Sequence, residues 1–278
     1  MDPVSAASAT NQPAQGTAQP AAPVLVRFDQ VGCRYGDRVA LDGFTWEIRA
    51  GEVAGLLGPN GAGKTTALRL LCGLLAPSSG SVLVDGLDVV RDGLEVRRRL
   101  AFVPDGAPLW PNLSPMSHLR LVGRLHGMDE APLEAEARRL LAALGLAERA
   151  DDPVGAFSHG MRQKTALACA ILPRPKLLVL DEPLNGLDAT TTATIKETLR
   201  LWADRGGAVL YTSHLLDVAE RVCDRVAILK SGRLAAHGTL DELRRRTGTD
   251  GTLEEVFRAL TDAEDPRAAA EALLGPKT

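Results

Sequence analysis

The chain has 278 residues, 45% of them hydrophobic and 24% charged, with a formal net charge of -3. That length allows one elaborated domain or two small ones with a sizeable core, and the composition is ordinary for a globular protein. The charge balance excludes a general attraction to nucleic acid or anionic lipid, so any basic contact has to be local.

Residues Met1 to Pro23 are mostly Ala, Pro, Gln, Ser and Thr and carry almost no large apolar side chain. Such a stretch cannot offset its ordering entropy, so 1–23 reads as a disordered tail, either a dispensable extension or a docking peptide. It lacks a basic start followed by an apolar run, so no secretory signal is expected. No apolar run approaches the roughly 18 residues of a membrane span. Cys33, Cys72, Cys169 and Cys223 are scattered, without metal spacing, and read as small apolar residues in a reducing compartment. A cytoplasmic protein is expected, docking onto another chain if it serves a membrane.

Structure is expected to begin at Val24. Val24–Phe28 and Phe44–Ile48 read as strands, and Val53–Leu57 is a short apolar run leading into a glycine-rich loop. Thr65–Leu75 carries Leu68, Leu71, Cys72 and Leu75 at helical spacing, and Pro77-Ser78-Ser79-Gly80 stops it. Strand signals recur at Ser81–Val84, Leu100–Val103, Leu177–Leu180, Val209–Thr212 and Val226–Leu229. Between Pro104 and Pro173 the period changes, and Leu119–Leu125, Leu133–Leu144 and Gly160–Leu172 read as a helical block inserted between strands of an α/β core. Thr239-Leu240-Asp241-Glu242 and Thr252-Leu253-Glu254-Glu255 fit capping boxes that open two short helices. Arg244-Arg245-Arg246 reads as a solvated face or helix-end charge.

Two strings carry the chemistry. Gly58-Pro59-Asn60-Gly61-Ala62-Gly63-Lys64-Thr65-Thr66 lies between a predicted strand and a predicted helix. Its glycines permit positive φ and close approach, its N–H groups can face phosphate oxygens, and the following helix adds its positive end. Lys64 can reach the β- and γ-phosphates, and the Thr65 hydroxyl can ligate magnesium. Far downstream, Leu177-Leu178-Val179-Leu180-Asp181-Glu182-Pro183 is a buried strand ending in two carboxylates. Asp181 can hold Mg2+ and Glu182 can face the attacking water as general base.

With these residues in place the sequence resembles the ATP-binding subunit of an ABC transporter. The resemblance covers nearly everything from Val24 onward. It implies an α/β phosphate-loop NTPase fold, a RecA-like core sheet with an N-terminal antiparallel β-subdomain and an inserted helical subdomain. The implied domains are an ATPase domain over 24–240, with its helical subdomain at about 105–173, and a C-terminal helical extension over 241–278. Five further elements fit in order. Tyr35 sits where the family stacks an aromatic ring on adenine; Val103-Pro104-Asp105 joins core to helical block, making Asp105 a candidate metal ligand. Phe157-Ser158-His159-Gly160-Met161 holds the signature position, with Ser158 and Gly160 facing phosphate. Gly186-Leu187-Asp188 is the dimer-crossing loop, and His214 in Thr212-Ser213-His214 is the switch histidine. Each has a simpler reading: Tyr35 as a half-buried strand residue, His214 as a structural histidine, Asp188 and Ser158 as helix caps. Their joint order carries the weight.

The resemblance further implies that ATP is bound between two ATPase subunits, a homodimer or related heterodimer, with Ser158 of one meeting the γ-phosphate held by the other. Two departures stand out: His159 and Met161 replace the usual glycine and glutamine of the signature, and Asp105 stands where glutamine is usual. The Ser-x-Gly-Met signature, Pro104-Asp105 and Thr252–Phe257 resemble the ATPases of type-two exporters, which work beneath separate integral membrane permease subunits. The protein would then sit on the cytoplasmic face of the membrane and bind no nucleic acid. Leu109 and Trp110 are groove candidates for a permease helix, or core residues. A soluble ABC-type regulatory ATPase is the alternative; it is disfavoured by the single ATPase unit and the lack of a coiled-coil insertion or basic stretch. A nucleotide kinase is disfavoured by the signature serine and His214.

Overall fold

The computed structural model describes residues 22–261. Most of the 1–23 tail and the last part of the 241–278 extension lie outside that range. Two sheets organise the chain. Strands β1 (Val24–Tyr35) and β2 (Arg38–Arg49) form a long antiparallel hairpin closed by Gly36 and Asp37. Both run well past the short apolar cores that the sequence marks, because the alternating polar residues between Asp29 and Asp42 are the solvent face of the same ribbon. Strand β3 (Val53–Leu57) is buried along its whole length and leads into helix α1 (Lys64–Leu71). Gly73, at φ 66°, turns the chain out of α1, so the helix stops short of Leu75 and Leu74 is 64% exposed.

Strands β4 (Ser79–Val84) and β5 (Leu87–Asp88) complete the first sheet in the order β2-β1-β4-β5. Helix α2 (Gly93–Arg99) and strand β6 (Leu100–Val103) return the chain to the second sheet. The helical block follows as α3 (Pro115–Leu125), α4 (Glu130–Ala143) and α5 (His159–Ile171). It has its own core of Met116, Leu119, Leu133, Ala137, Leu141, Val154 and Leu172. The rest alternates: β7 (Leu177–Asp181), α6 (Ala189–Asp204), β8 (Ala208–Thr212), α7 (Leu216–Val222), β9 (Arg225–Lys230) and β10 (Arg233–Gly238).

The second sheet has the order β10-β9-β3-β8-β7-β6, parallel except for the edge strand β10. β3 therefore lies inside it, flanked by β9 and β8, and its C-terminal end opens beside those of β8 and β7. In such a sheet a ligand sits outside the carboxyl ends of the strands. Helices α8 (Leu240–Thr247) and α9 (Leu253–Thr261) close the described chain. Both capping boxes form: Thr239 exchanges bonds with Glu242, and Thr252 with Glu255. Leu243, Leu253 and Val256 are buried in one cluster with Val53, Leu57 and Ile228, so through Thr261 the C-terminal helices share the core that packs on the second sheet. Arg244 is not a simple solvated charge, since it bonds the Gly251 carbonyl and pairs with Glu220 and Asp241. Helices α2, α6 and α7 and strands β5 and β10 carry no strong period in the sequence. They are short, or, like the Thr-rich start of α6, poor in local helix preference.

Candidate functional site

The loop after β3 has to reverse direction within six residues, Gly58 to Gly63, and enter α1 with its amides facing outward. Gly63 makes that entry at φ 111°, and a Cβ there would stand 2.6 Å from the Ala40 carbonyl oxygen. A Cβ at Gly58 would come within 2.6 Å of the Leu229 carbonyl oxygen. Backbone atoms cannot give way, so the loop is packed directly against β2 and β9 and stays open on its other side. That side lines a cleft of 440 Å3 bounded by Pro59 to Thr66, Tyr35, Arg38, Ala40, Arg69, Asp105, Asp181 and Glu182. Asn60, Gly61 and Ala62 form its floor, Thr65 is exposed and Thr66 is buried at its edge. Lys64 folds back so that Nζ donates to the carbonyls of Gly58 and, at 3.2 Å, of Pro59. Its pKa is lowered by burial, an effect opposed by the carboxylates of Glu182 and Asp181.

The acidic wall comes from the ends of β7 and β8. Asp181 ends β7, paired in register with Thr212, whose hydroxyl donates to Oδ1. Glu182 turns off the strand at φ 50°, a left-handed conformation uncommon for a non-glycine residue. Three contacts hold it there: its N–H donates to the Thr212 carbonyl at 3.1 Å, Ser213 Oγ donates to Oε2 at 3.2 Å, and His214 Nδ1 lies 3.0 Å from Oε1. The Glu182 side chain is 14% exposed and that of His214 is 62% exposed, so the histidine stands at the mouth and the carboxylate inside.

The structure thus brings together Tyr35, the whole loop, Asp105, Asp181, Glu182 and His214, drawn from five separate stretches of chain. Tyr35 is 44% exposed at the cleft rim. Two cations that sequence reasoning missed line the same space. Arg38 faces Tyr35 across the hairpin, with its guanidinium over Gly61, and Arg69 is on the exposed side of α1. The hairpin register was the available signal for Arg38: a two-residue turn places it beside Tyr35.

Ser158 and Gly160 lie outside this cleft. Ser158 caps α5, its hydroxyl accepting from the Met161 N–H at 3.3 Å, and Gly160 packs beneath Leu187 and the Gly186 carbonyl. Met161 packs onto the apolar core of the helical block, which gives a thioether a place that an amide side chain would fill poorly. Asp188 caps α6 through the Thr191 N–H and hydroxyl, at 2.9 and 2.6 Å. Beyond Asp105, a groove of 430 Å3 runs between β6 and the helical block, with Phe102, Pro104, Leu109, Val122, Ala166 and Cys169 in its walls. Leu109 lines it. Trp110 does not and is not core either: it is 61% exposed, stacked on His118 with ring centroids 5.7 Å apart, and its backbone N–H donates to His118 Nε2.

No helix among the described residues is long and apolar enough to cross a membrane. A family model described as ABC transporter matches residues 41–185, from β2 to just past Glu182. The daunorubicin resistance ATP-binding protein DrrA3 of Streptomyces coeruleorubidus is 39% identical over 229 residues, 82% of this chain and 72% of that protein. The linearmycin resistance ATP-binding protein LnrL of Bacillus subtilis is 31% identical, covering 86% and 77% respectively. Nod factor export ATP-binding protein I of Burkholderia lata is 39% identical, covering 79% and 71%. A solved ATP-binding subunit of an ABC transporter superposes with a TM-score of 0.81 at 34% identity, covering 85% of this chain and 99% of that one. A nucleotide-free ATP-binding cassette, at 21% identity and a TM-score of 0.71, shares the fold. The chain belongs to the ABC transporter family, as an ATP-binding, ATP-hydrolysing subunit.

Proposed function

We propose that this subunit drives export through separate membrane permease subunits, closing on ATP as a pair of ATPase chains. The observation that carries the reading is the division of the functional groups. One cleft gathers Tyr35, the phosphate loop, Asp181 and Glu182, while Ser158 and Gly160 lie on another part of the same chain. In this reading Tyr35 stacks on the adenine, and Lys64 leaves the carbonyls of Gly58 and Pro59 for the β- and γ-phosphates. Glu182 takes a proton from the attacking water, and His214, already bonded to it, holds the carboxylate and reaches the γ-phosphate. The exposed N-terminus of α5 and Ser158 complete the phosphate shell of a second chain.

Mg2+ fits this donor set. Among the described residues no three His, Cys, Asp or Glu side chains cluster as a metal cage. Magnesium commonly uses one or two carboxylates with substrate phosphates rather than an all-protein site. Thr65 and Asp181 would hold it, with Asp105 on the same cleft wall. Bound there it would neutralise charge on the β- and γ-phosphates.

Export is supported by the names of the relatives, two resistance ATP-binding proteins and a Nod factor export ATP-binding protein. The groove behind Asp105 is apolar along Phe102, Leu109 and Val122, and is suited to an amphipathic permease helix. The domain reading that goes with it is an ATPase domain over 24–240 carrying the helical block, continued by the C-terminal helices. Purification of the tagged chain from solubilised membranes is expected to bring down an integral membrane protein, and a Leu109→Glu variant to lose it. Recovery of active ATPase only from the soluble fraction, with no membrane partner, would favour the regulatory ATPase instead.

A further inference from the structure

We propose that His159 is a positioning residue that couples the N-terminus of α5 to the Gly186–Asp188 loop and, through that loop, to Glu182. The inference rests on the reading of Glu182 as general base and of Ser158 as a phosphate ligand for a second chain. It gives the departure at position 159 a function.

The imidazole covers Gly186. A Cβ at Gly186 would stand 2.8 Å from His159 Nδ1, 3.5 Å from Cγ and 3.6 Å from Cε1. One residue along the helix, a Cβ at Gly160 would stand 3.3 Å from Leu187 Cδ2 and 3.5 Å from the Gly186 carbonyl oxygen. Two consecutive residues of α5 therefore seat two consecutive residues of the loop. His159 Nδ1 is buried and has no hydrogen-bond partner among the described residues. A buried ring nitrogen without a partner is unfavourable. What holds the ring in place is its packing against the loop.

The loop is a short mechanical link to the base. Asn185 N–H donates to the Glu182 carbonyl at 3.3 Å and Leu187 N–H to the Leu184 carbonyl at 3.4 Å, so 182–187 is a run of tight turns. That run starts at the left-handed Glu182 and passes through Gly186 at φ 67°. A displacement of α5 carried by the imidazole moves Gly186, and with it the turn that aims Glu182. Glycine at 159 would leave a gap where the ring is and let the loop settle independently of α5. With histidine, the base is aimed only when α5 is seated, which in the proposed pair happens when Ser158 meets the other chain's nucleotide.

The test is a double-variant cycle on the full chain, reading kcat, KM for ATP and nucleotide affinity at low protein concentration. H159G is expected to lower kcat by about 10- to 100-fold, the scale of a misplaced catalytic group, with single-chain affinity within about twofold. H159F, which keeps a planar ring and removes the orphan nitrogen, is expected to recover most of the lost kcat. G186A puts a methyl where the ring stands and should lose kcat in the wild-type background, yet cost little more in H159G. The backbone strain of alanine at that φ is common to both backgrounds and cancels in the cycle. Wild-type turnover in H159G, an H159F variant no better than H159G, or strictly multiplicative losses in the double variant would each overturn the coupling. If H159G does not fold, H159F and G186A probe the same contact. E182Q in the same preparations separates the two readings: normal turnover there removes the base, whereas an inactive E182Q beside a normal H159G removes only the role of His159.

Discussion

The phosphate cleft and the start of α5 are built on opposite plans. In the cleft, side chains from five stretches converge on one space, and several of their mutual bonds are exchangeable: Lys64 on loop carbonyls, Glu182 on Ser213 and His214. At the start of α5 the serine and the glycine are already engaged, and only the His159 ring nitrogen lacks a partner among the described residues of that turn. The Ser158 hydroxyl caps its own helix, and Gly160 lies under Leu187. The first region is a site within one chain. The second is a well-made helix start, which the proposed pairing turns into part of a nucleotide site. In the proposed pair the two regions meet across chains, and assembly becomes part of the catalytic cycle.

The comparison breaks most visibly at the base. Glu182→Gln is expected to lower kcat by about 10²–10⁴-fold while ATP binding persists, the usual weight of a positioned general base. Phosphate release and size-exclusion chromatography with ATP would show turnover lost and a dimer retained; unchanged turnover would take Glu182 out of the role. Ser158→Arg should reduce hydrolysis by about 10²–10³-fold, the cost of losing a preorganised anion donor, while equilibrium binding of nucleotide to the single chain stays as in wild type. Normal hydrolysis at low protein concentration would leave the second region without a catalytic part. Lys64→Ala removes a charge-assisted contact worth roughly 1.5–3 kcal/mol, so nucleotide affinity should fall by about 10- to 100-fold in a titration.

The smallest effect concerns an ion pair on α4 of the helical block. Hydrogen bonding from Arg139 holds the Glu136 carboxyl at about 2, against an ordinary value of 4.5; burial opposes this, and Arg174 adds to it from the loop before β7. A depressed folded pKa means stability present above about 4.5 and lost as pH falls towards about 2. The Glu136→Gln variant should therefore have a lower urea midpoint than wild type at pH 6, by a gap that narrows on acidification through pH 3. A gap that widens there would mean that the Glu136 carboxylate does not stabilise the fold.

The fold class was legible because its signals are local and repeated. Apolar runs such as Val53–Leu57 and Leu177–Leu180 mark buried parallel strands, and the Thr239 and Thr252 boxes mark helix starts whose bonds span three residues. The cleft was legible for the same reason: glycines, a lysine and two carboxylates at fixed spacing. Arg69 is not legible because nothing in its immediate sequence separates a cleft cation from a solvated one, and Arg38 becomes legible only through the register of the hairpin turn beside Tyr35. Trp110 reads as groove or core from its nearness to the Asp105 loop; its stacking on His118 depends on the turn into α3.

Thus the order of residues alone marked the groups that line the cleft, since a glycine-rich loop and an acidic strand end depend on short-range geometry that spacing encodes. Which strands lie side by side, and so whether Asp181 and Glu182 face that cradle across β8, came only from the sheet order, because β3 pairs with β8, Val53 beside Val209, across more than half of the chain. The same holds for His159. In the sequence it is a substitution in a signature; folded, it is a ring closed over Gly186, and contact between segments 27 residues apart is decided by packing.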